Sequence, residues 1–258
     1  MTQPHTEILL LASLPGLEET PPQIAFHPLF DEPDAVAFLK ANGRRFRGIA
    51  ASGRSLVDQA LLAHLPSLEI IASFGVGYDR VDLDAVRSRG IVVTNTPDIL
   101  TEEVADLALG LVIATTRRMP QAERYLRAGA WTSAPFPLSP SLRGRTAGIF
   151  GLGRIGKAIA SRLEACGVTV AYHGRSRQHD VAYAYYDSLE EMARAVDIII
   201  LAAPGGPETL HAIDRTMLQA LGPQGILINI ARGSLVDEDA LCEALEDGTI
   251  LAAGLDVF

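Results

Sequence analysis

The chain has 258 residues, 48% of them hydrophobic and 21% charged, which is enough for one large domain or two modest ones. Its formal net charge of −9 disfavours a nucleic-acid-binding surface. No stretch reaches the roughly 18 apolar residues of a membrane span, because Asp106 interrupts the longest candidate.

The N-terminus and the cysteines indicate a cellular location. Residues 1–6 contain neither Lys nor Arg, and the apolar run at 8–12 is short for a secretory signal. Cys166 and Cys242 lack metal-ligand spacing and fall in helical patterns, which favours buried free thiols in a reducing compartment. We therefore expect a cytoplasmic protein that binds no metal, membrane or nucleic acid.

Strand and helix patterns alternate along the first 95 residues, which predicts a parallel sheet with crossover helices. The predicted strands are 8–12, 48–51, 70–73 and 91–95, and the predicted helices are 34–42, 55–64 and 82–89. Asn95-Thr96-Pro97 interrupts this pattern before a predicted helix from Thr101 to about Arg118. A domain boundary is expected here, which gives domains at 1–97 and 98–258.

A second alternation starts at Thr146, after an irregular segment at 129–141 that holds three prolines and the only tryptophan, Trp131. The predicted strands are 146–150, 168–172, 198–202, 226–230 and 250–257. Helices are predicted at 157–165, after Ser188 and from Asp237. This half of the chain is also expected to be α/β.

A glycine-rich motif, Gly151-Leu152-Gly153-Arg154-Ile155-Gly156, joins the predicted strand 146–150 to the helix 157–165. In that setting, backbone amides at the helix N-terminus can approach a pyrophosphate. The alternative interpretation is a tight structural turn. The strand–turn–helix context favours dinucleotide binding.

Six motifs occur in an order that resembles the D-isomer-specific 2-hydroxyacid dehydrogenases, most closely the glyoxylate/hydroxypyruvate reductases. They are 73–79, Asn95-Thr96-Pro97, Val104-Ala105-Asp106, the glycine-rich motif, Ile230-Ala231-Arg232-Gly233 and 255–258. The resemblance extends from about residue 49 to Phe258. It implies an α/β protein of two Rossmann-like domains with parallel sheets, an active site in the interdomain cleft, and a homodimer that reduces a small-molecule 2-oxoacid.

Arg232 follows the predicted strand 226–230, at the carboxyl end where parallel sheets bind ligands. Its guanidinium can fork onto a substrate carboxylate and polarise the neighbouring carbonyl. Val76 and Gly77 lie in a glycine-bracketed loop whose amides can form an anion nest. The resemblance implies that Arg232 is the catalytic arginine and that Val76 and Gly77 hold the substrate carboxylate. From the residues alone, a surface arginine and a plain tight turn remain open.

The segment after the predicted strand 168–172 bears on the choice of dinucleotide. NAD sites usually carry an acid about 20 residues after the glycines, but no acid occurs here before Asp180. Gly174, Arg175 and Ser176 instead suit a 2′-phosphate, which an aspartate would repel. We expect NADP(H), with NAD(H) as the second choice. An exposed basic turn without a ligand is the alternative.

The resemblance implies further cofactor contacts from Pro204, Thr209, Ile230, Ala231 and Asp256. Asp256 matches the residue that holds the nicotinamide carboxamide in the family. Trp131 matches a region that reaches across a dimer interface in some relatives, although a tryptophan of the core or of a surface loop is an equal alternative.

The family's proton donor is a histidine steered by a glutamate. Both are expected beyond Phe258, as is the segment that returns to the first domain, and none of the six histidines stands in the expected motif. One interpretation is a truncated version of an active enzyme. Another is a catalytically silent dinucleotide-binding protein, since proton transfer contributes about 10²–10⁴-fold. A D-3-phosphoglycerate dehydrogenase-like enzyme is an alternative, but the phosphate of its substrate would call for more basic residues near the cleft than are evident in the sequence.

Overall fold

The computed structural model describes residues 6–19 and 21–258, so the prediction made from the extreme N-terminus lies largely outside the described residues. The chain divides into two compact units, one ending at Ile99 and the other spanning Leu100–Phe258. Each unit contains a parallel sheet with helices between its strands. The α/β fold class expected from the sequence is confirmed.

The first unit is built on a five-stranded parallel sheet in the order β2-β1-β3-β4-β5. Its strands are β1 (Thr6–Leu10), β2 (Ile24–Pro28), β3 (Phe46–Ser52), β4 (Ile70–Phe74) and β5 (Val92–Thr94). Its helices are α1 (Ala35–Asn42), α2 (Gln59–Ala63) and α3 (Leu83–Ser88). This is one of the two common strand orders of doubly wound folds.

Aspartate caps start all three of these helices. The side chains of Asp34, Asp58 and Asp82 each accept a hydrogen bond from the amide three residues further on, which satisfies a donor that the first helical turn leaves unpaired. The predicted strands and helices of this unit are present, with shifted ends. Strand β2 was missed because it is a partly exposed edge strand that ends at Pro28, where a residue without an N–H is tolerated.

The second unit is built on a six-stranded parallel sheet in the order β11-β10-β9-β6-β7-β8. Its strands are β6 (Thr146–Phe150), β7 (Thr169–His173), β8 (Ala184–Tyr186), β9 (Ile198–Leu201), β10 (Ile226–Asn229) and β11 (Ala252–Leu255). Its helices are α4 (Thr101–Thr116), α5 (Met119–Arg127), α6 (Arg154–Ala165), α7 (Leu189–Ala195), α8 (Arg215–Leu221) and α9 (Glu238–Glu246). Numbered from β6, the strand order is the 3-2-1-4-5-6 of dinucleotide-binding folds.

Both faces of the second sheet are covered. Alternate residues of β9 point to opposite faces, so that Ile198 and Ile200 pack with α4 and α6, whereas Ile199 and Leu201 pack with α7, α8 and α9. Arg162 of α6 also forms ion pairs with Glu102 and Asp106 of α4, at 2.7 and 2.6 Å. Hydrogen bonds to these two carboxylates raise the pKa of Arg162.

Three features bear on the function classes considered from composition. Cys166 and Cys242 are free thiols, but Cys166 is only half-buried and Cys242 is exposed, so the expectation that both are buried is wrong. In the part of the chain that the structure describes, no group of three or more His, Cys, Asp or Glu side chains is arranged to hold a metal ion. Over the same residues, no helix has the length and apolar character needed to cross a membrane.

Candidate active site

Two glycines of the glycine loop, defined as residues 151–156 between β6 and α6, are required by close packing of the backbone. Gly151 has a φ of +99°, and a Cβ there would lie 2.6 Å from the amide nitrogen of Ala203. A Cβ on Gly156 would lie 2.3 Å from the carbonyl oxygen of Gly151. The loop after β6 therefore touches the loop after β9, at the point where the chain changes direction across the sheet.

Gly153 has a different environment. A Cβ on it would meet nothing within 4 Å, and as the N-cap of α6 it provides no side chain to cap the first helical turn. Packing within the described part of the unit therefore does not explain this glycine. An uncapped helix start with open space before it fits a diphosphate, which backbone amides and the helix dipole would hold.

The other residues of the glycine loop have distinct surroundings. The Leu152 side chain is 3% exposed, which leaves only its backbone for a ligand. The Gly151 amide already donates to the carbonyl oxygen of His173, at 2.9 Å. Arg154 is exposed and Ile155 is half-buried on the first turn of α6. Any diphosphate contact by Leu152 or Gly151 must therefore be made through the backbone.

The basic turn, defined as residues 174–180, follows β7. Arg175 and Ser176 are exposed, and neither side chain has a hydrogen bond or ion pair with any residue that the structure describes. The first acid of the turn, Asp180, forms an ion pair with Lys157 of α6 at 2.7 Å. This hydrogen bond lowers the pKa of Asp180. With its acid paired, the turn presents positive charge, which fits a 2′-phosphate.

The loops after β9, β10 and β11 carry the remaining predicted cofactor residues. Pro204 is exposed, and its carbonyl oxygen accepts a hydrogen bond from the Thr209 hydroxyl at 2.8 Å. Thr209 therefore shapes its own loop. Asp256 is exposed directly after β11, and its amide donates to the carbonyl oxygen of Asn229 at 2.9 Å. Ile230 and Ala231 are each 7% exposed.

Arg232 lies in the loop after β10 and is half-buried. Its Nη1 donates to the carbonyl oxygen of Ala231 at 2.6 Å. Asn229, which is 1% exposed, bridges the same loop: its Oδ1 accepts from the Ala231 amide at 3.0 Å, and its Nδ2 donates to the Arg232 carbonyl oxygen at 2.8 Å. Sequence reasoning assigned Asn229 no role, although a polar residue ending the apolar strand Ile226–Asn229 is a signal for one.

The loop that carries Val76 and Gly77 follows β4 in the first unit. Asn95 donates through Nδ2 to the Val76 carbonyl oxygen at 2.8 Å, and Thr96 exchanges two hydrogen bonds with the backbone of Gly75. The amides of Val76 and Gly77 have no hydrogen-bond acceptor within the described ranges. Asn95 and Thr96 thus hold the backbone of this loop, and two of its amides remain available as donors. Such a loop is suited to bind an anion such as a carboxylate.

The structure therefore brings most predicted residues of the second unit to the carboxyl edge of its sheet, in the loops after β6, β7, β9, β10 and β11. The loop after β6 is in direct contact with the loop after β9, and the loop after β10 is in direct contact with the loop after β11. Trp131 lies apart from these loops in sequence, in the short 3₁₀ turn Ala130–Thr132, and is 61% exposed.

Comparison with known proteins identifies the family. Residues 109–258 match the family model described as "D-isomer specific 2-hydroxyacid dehydrogenase, NAD binding domain". Glyoxylate/hydroxypyruvate reductase A of Arabidopsis thaliana is 44% identical, over 88% of this chain and 72% of that protein. Hydroxyphenylpyruvate reductase of Plectranthus scutellarioides is 45% identical over the same shares of the two chains.

Among solved structures, the NADPH-dependent glyoxylate/hydroxypyruvate reductase of Sinorhizobium meliloti, in complex with NADP and malonate, is 51% identical. The two structures align with a TM-score of 0.89, over 98% of this chain and 80% of that chain. The chain belongs to the D-isomer-specific 2-hydroxyacid dehydrogenase family.

Proposed function

We propose that this protein is an NADPH-dependent reductase of a small 2-oxoacid, glyoxylate or hydroxypyruvate, and forms the corresponding 2-hydroxy acid. The observation that carries the choice of NADPH is the exposed Arg175 and Ser176 of the basic turn, together with the pairing of its first acid, Asp180, to Lys157. The substrate class follows from the glyoxylate/hydroxypyruvate reductases to which the chain is 44% and 51% identical.

Leu100–Phe258 acts as the dinucleotide-binding unit in this proposal. The amides of Gly153, Arg154, Ile155 and Gly156 hold the diphosphate at the start of α6, with Gly151 and Leu152 shaping the loop. Gly174, Arg175 and Ser176 bind the 2′-phosphate. Contacts to the rest of the dinucleotide come from Pro204, Thr209, Ile230, Ala231 and Asp256. When bound, NADPH would supply the hydride that reduces the ketone carbon, and a proton taken up from solvent would complete the hydroxyl group on the former ketone oxygen.

Two sets of donors act on the substrate. The amides of Val76 and Gly77 bind its carboxylate, for which the loop is already fixed by Asn95 and Thr96. Arg232 binds the substrate through its guanidinium and polarises the ketone oxygen, where negative charge develops as the carbon is reduced. Donors that are held in place before the reaction need no reorganisation during it, which is the main source of this stabilisation.

We also propose that the protein is cytoplasmic and a homodimer. Support for the location comes from the two free cysteines, Cys166 and Cys242, which suit a reducing compartment. Support for the dimer comes from the family resemblance and from the exposed Trp131.

The test is to titrate the purified protein with NADPH and NADH by calorimetry, and to follow NADPH consumption with glyoxylate and with hydroxypyruvate. Arg175→Ala is expected to weaken NADPH binding about tenfold or more and NADH binding less than about twofold, because a charged hydrogen bond to phosphate is lost. Arg44→Ala, which removes an exposed arginine of the first unit, should change neither affinity.

Equal losses for the two dinucleotides in Arg175→Ala would contradict the NADPH assignment. Absence of heat with either dinucleotide would contradict the function itself. Faster turnover with 3-phosphohydroxypyruvate than with glyoxylate and hydroxypyruvate would instead favour the phosphoglycerate dehydrogenase alternative.

A further inference from the structure

One side chain connects the basic turn to the glycine loop. Gln178 is half-buried, and its Nε2 donates a hydrogen bond of 2.6 Å to the carbonyl oxygen of Leu152. Leu152 is the second residue of the glycine loop. The bond therefore links two segments that are 26 residues apart in sequence and that we have proposed to bind two different phosphate groups of one ligand.

Two tyrosines hold the backbone of the same turn. The Gln178 amide donates to the Tyr172 hydroxyl at 2.7 Å, and the hydroxyl of Tyr185 donates to the Gly174 carbonyl oxygen at 3.2 Å. The two rings pack against each other with centroids 5.1 Å apart, and Tyr172 is 1% exposed. Partial burial and the charge of Asp187 raise the pKa of Tyr185, which favours the protonated hydroxyl that donates this hydrogen bond.

These contacts fix both ends of a short segment and leave its middle exposed. The backbone is held at Gly174 and at Gln178, and beyond them the Lys157 ion pair holds Asp180. Arg175, Ser176 and Arg177 lie between the two fixed points with exposed side chains. Their donors are thus carried on a backbone whose position relative to the glycine loop is set in advance.

We propose that Gln178 is a positioning residue that gives the site its preference for a dinucleotide carrying a 2′-phosphate. By fixing the spacing between the glycine loop and the basic turn, it lets Arg175 and Ser176 contact a 2′-phosphate while the amides of α6 contact the diphosphate. Without this bond, the turn must be ordered when the ligand binds, and that cost reduces affinity. A ligand without the 2′-phosphate gains little from the ordered turn. This inference rests on the proposed function.

The test is Gln178→Met, which removes the donor and keeps a side chain of similar length. The probes are 2′,5′-ADP, which carries the 2′-phosphate, and 5′-AMP, which does not, each titrated by calorimetry into the full chain. We expect about a tenfold weaker affinity for 2′,5′-ADP and less than about a twofold change for 5′-AMP, since preorganisation is lost only for the phosphate contacts. Gln219→Met, at an exposed position of α8, is the matched control and should leave both affinities unchanged.

A second variant, Tyr185→Phe, releases the other end of the turn and should shift the preference in the same direction. In steady-state assays with NADPH, both variants should raise the KM for NADPH and leave kcat unchanged, because neither residue is proposed to act on the substrate. Hydrogen exchange should be faster in the basic turn of both variants and unchanged at the start of α6.

The outcomes separate this inference from the function it rests on. If the unmodified protein binds neither 2′,5′-ADP nor NADPH, the proposed function is wrong, and this inference with it. If the unmodified protein binds them and Gln178→Met keeps the same preference, or loses affinity equally for both probes, only the positioning role of Gln178 is overturned.

Discussion

Asn229 shows how a single buried side chain can determine where a reactive group lies. Its amide oxygen and nitrogen hold the loop of Arg232 at Ala231 and at the Arg232 carbonyl, and its own carbonyl oxygen accepts the amide of Asp256. Asn229 is 1% and Ala231 is 7% exposed, so the Ala231 amide would not find water easily if the Asn229 side chain were removed. The position of the Arg232 loop therefore depends on the Asn229 side chain, whereas Asp256 is bonded to the Asn229 backbone.

We predict that Asn229→Ala lowers kcat/KM for glyoxylate more than it lowers affinity for NADPH. The substitution leaves the buried amide of Ala231 unpaired, which costs about 1–3 kcal/mol of folding free energy, and it releases the loop that carries Arg232. Steady-state kinetics and calorimetry measure the two effects, and thermal unfolding measures the stability loss.

The control for this prediction is the same substitution in an Arg232→Ala background. Arg232→Ala alone is expected to reduce kcat by about 10²–10³, the usual effect of removing a donor to developing negative charge. If Asn229 acts through Arg232, adding Asn229→Ala to that variant has little further effect on kcat/KM. Full additivity of the two losses would show that Asn229 acts independently of the arginine.

Arg232 and the glycines could be predicted as site residues from sequence because each sits in a motif with a recognisable context, and Asp256 was predicted from the family resemblance. Asn229 and Gln178 were not, because their importance lies in side-chain bonds to the backbone, which leave little pattern in the sequence. Gln178 bonds to a carbonyl 26 residues earlier in the chain, and only the fold brings the two together. Asn95 and Thr96 belong to a motif that the family resemblance includes, but only the structure shows the bonds that they make to Gly75 and Val76.

At the level of secondary structure, the junction of β6 and α6 contains three glycines that serve two purposes. Gly151 and Gly156 lack side chains because neighbouring backbone atoms occupy the space. Gly153 has open space around it and an ordinary φ of −80°, which other residues adopt without strain. Gly153 is therefore the glycine whose presence a bound ligand would explain.

This difference predicts opposite outcomes for two similar substitutions. Gly153→Ala should change the unfolding temperature little, because the cost of alanine relative to glycine at an N-cap, roughly 1 kcal/mol, is offset by a gain of about 0.4–1 kcal/mol from the lower backbone entropy of alanine in the unfolded chain. The same substitution should weaken NADPH binding about tenfold or more, because its methyl group occupies the ligand's space. Gly151→Ala should destabilise the protein itself, because its Cβ would lie 2.6 Å from the Ala203 nitrogen at a φ of +99°. Calorimetry and thermal unfolding distinguish the two. Unimpaired NADPH binding by Gly153→Ala would contradict the placement of the diphosphate.

Secondary structure could be predicted where the apolar pattern is strong. It was missed where an element forms only because it pairs with a neighbouring strand. A continuous apolar run predicted a buried strand at 198–202, and helical apolar spacing predicted a helix at 157–165; the structure has them at Ile198–Leu201 and Arg154–Ala165. Strand β8 has three residues and exists because it pairs with the edge of β7, which no local pattern indicates. Helix α5 was missed; its first turn contains Pro120, and it follows Arg118, which adopts a left-handed backbone conformation.

At the scale of the whole chain, both units are parallel sheets with helices between their strands, but their strand orders differ. The second has the order 3-2-1-4-5-6 and the first 2-1-3-4-5 when each is numbered from its own first strand. Alternation of strands and helices in the sequence predicts parallel sheets, but the strand order depends on the direction of each crossover, which the sequence pattern does not contain. In both units, the proposed ligand groups follow the carboxyl ends of strands, where such sheets bind ligands.

The division into two units yields a prediction about where the dinucleotide stabilises the chain. A ligand at 100 times its dissociation constant stabilises the state that binds it by about 2.7 kcal/mol, which slows opening-dependent hydrogen exchange about 100-fold. If Leu100–Phe258 holds NADPH, the slowing should be greatest in β6, β9 and the first turn of α6, and smaller in β3 and β4 of the first unit. Exchange measured by mass spectrometry on the full chain gives both values in one experiment. As a control, the Arg175→Ala variant at the same NADPH concentration should show less slowing of hydrogen exchange in the second unit. Equal slowing in β3 and β9 of the unmodified protein would contradict the assignment of the dinucleotide to Leu100–Phe258.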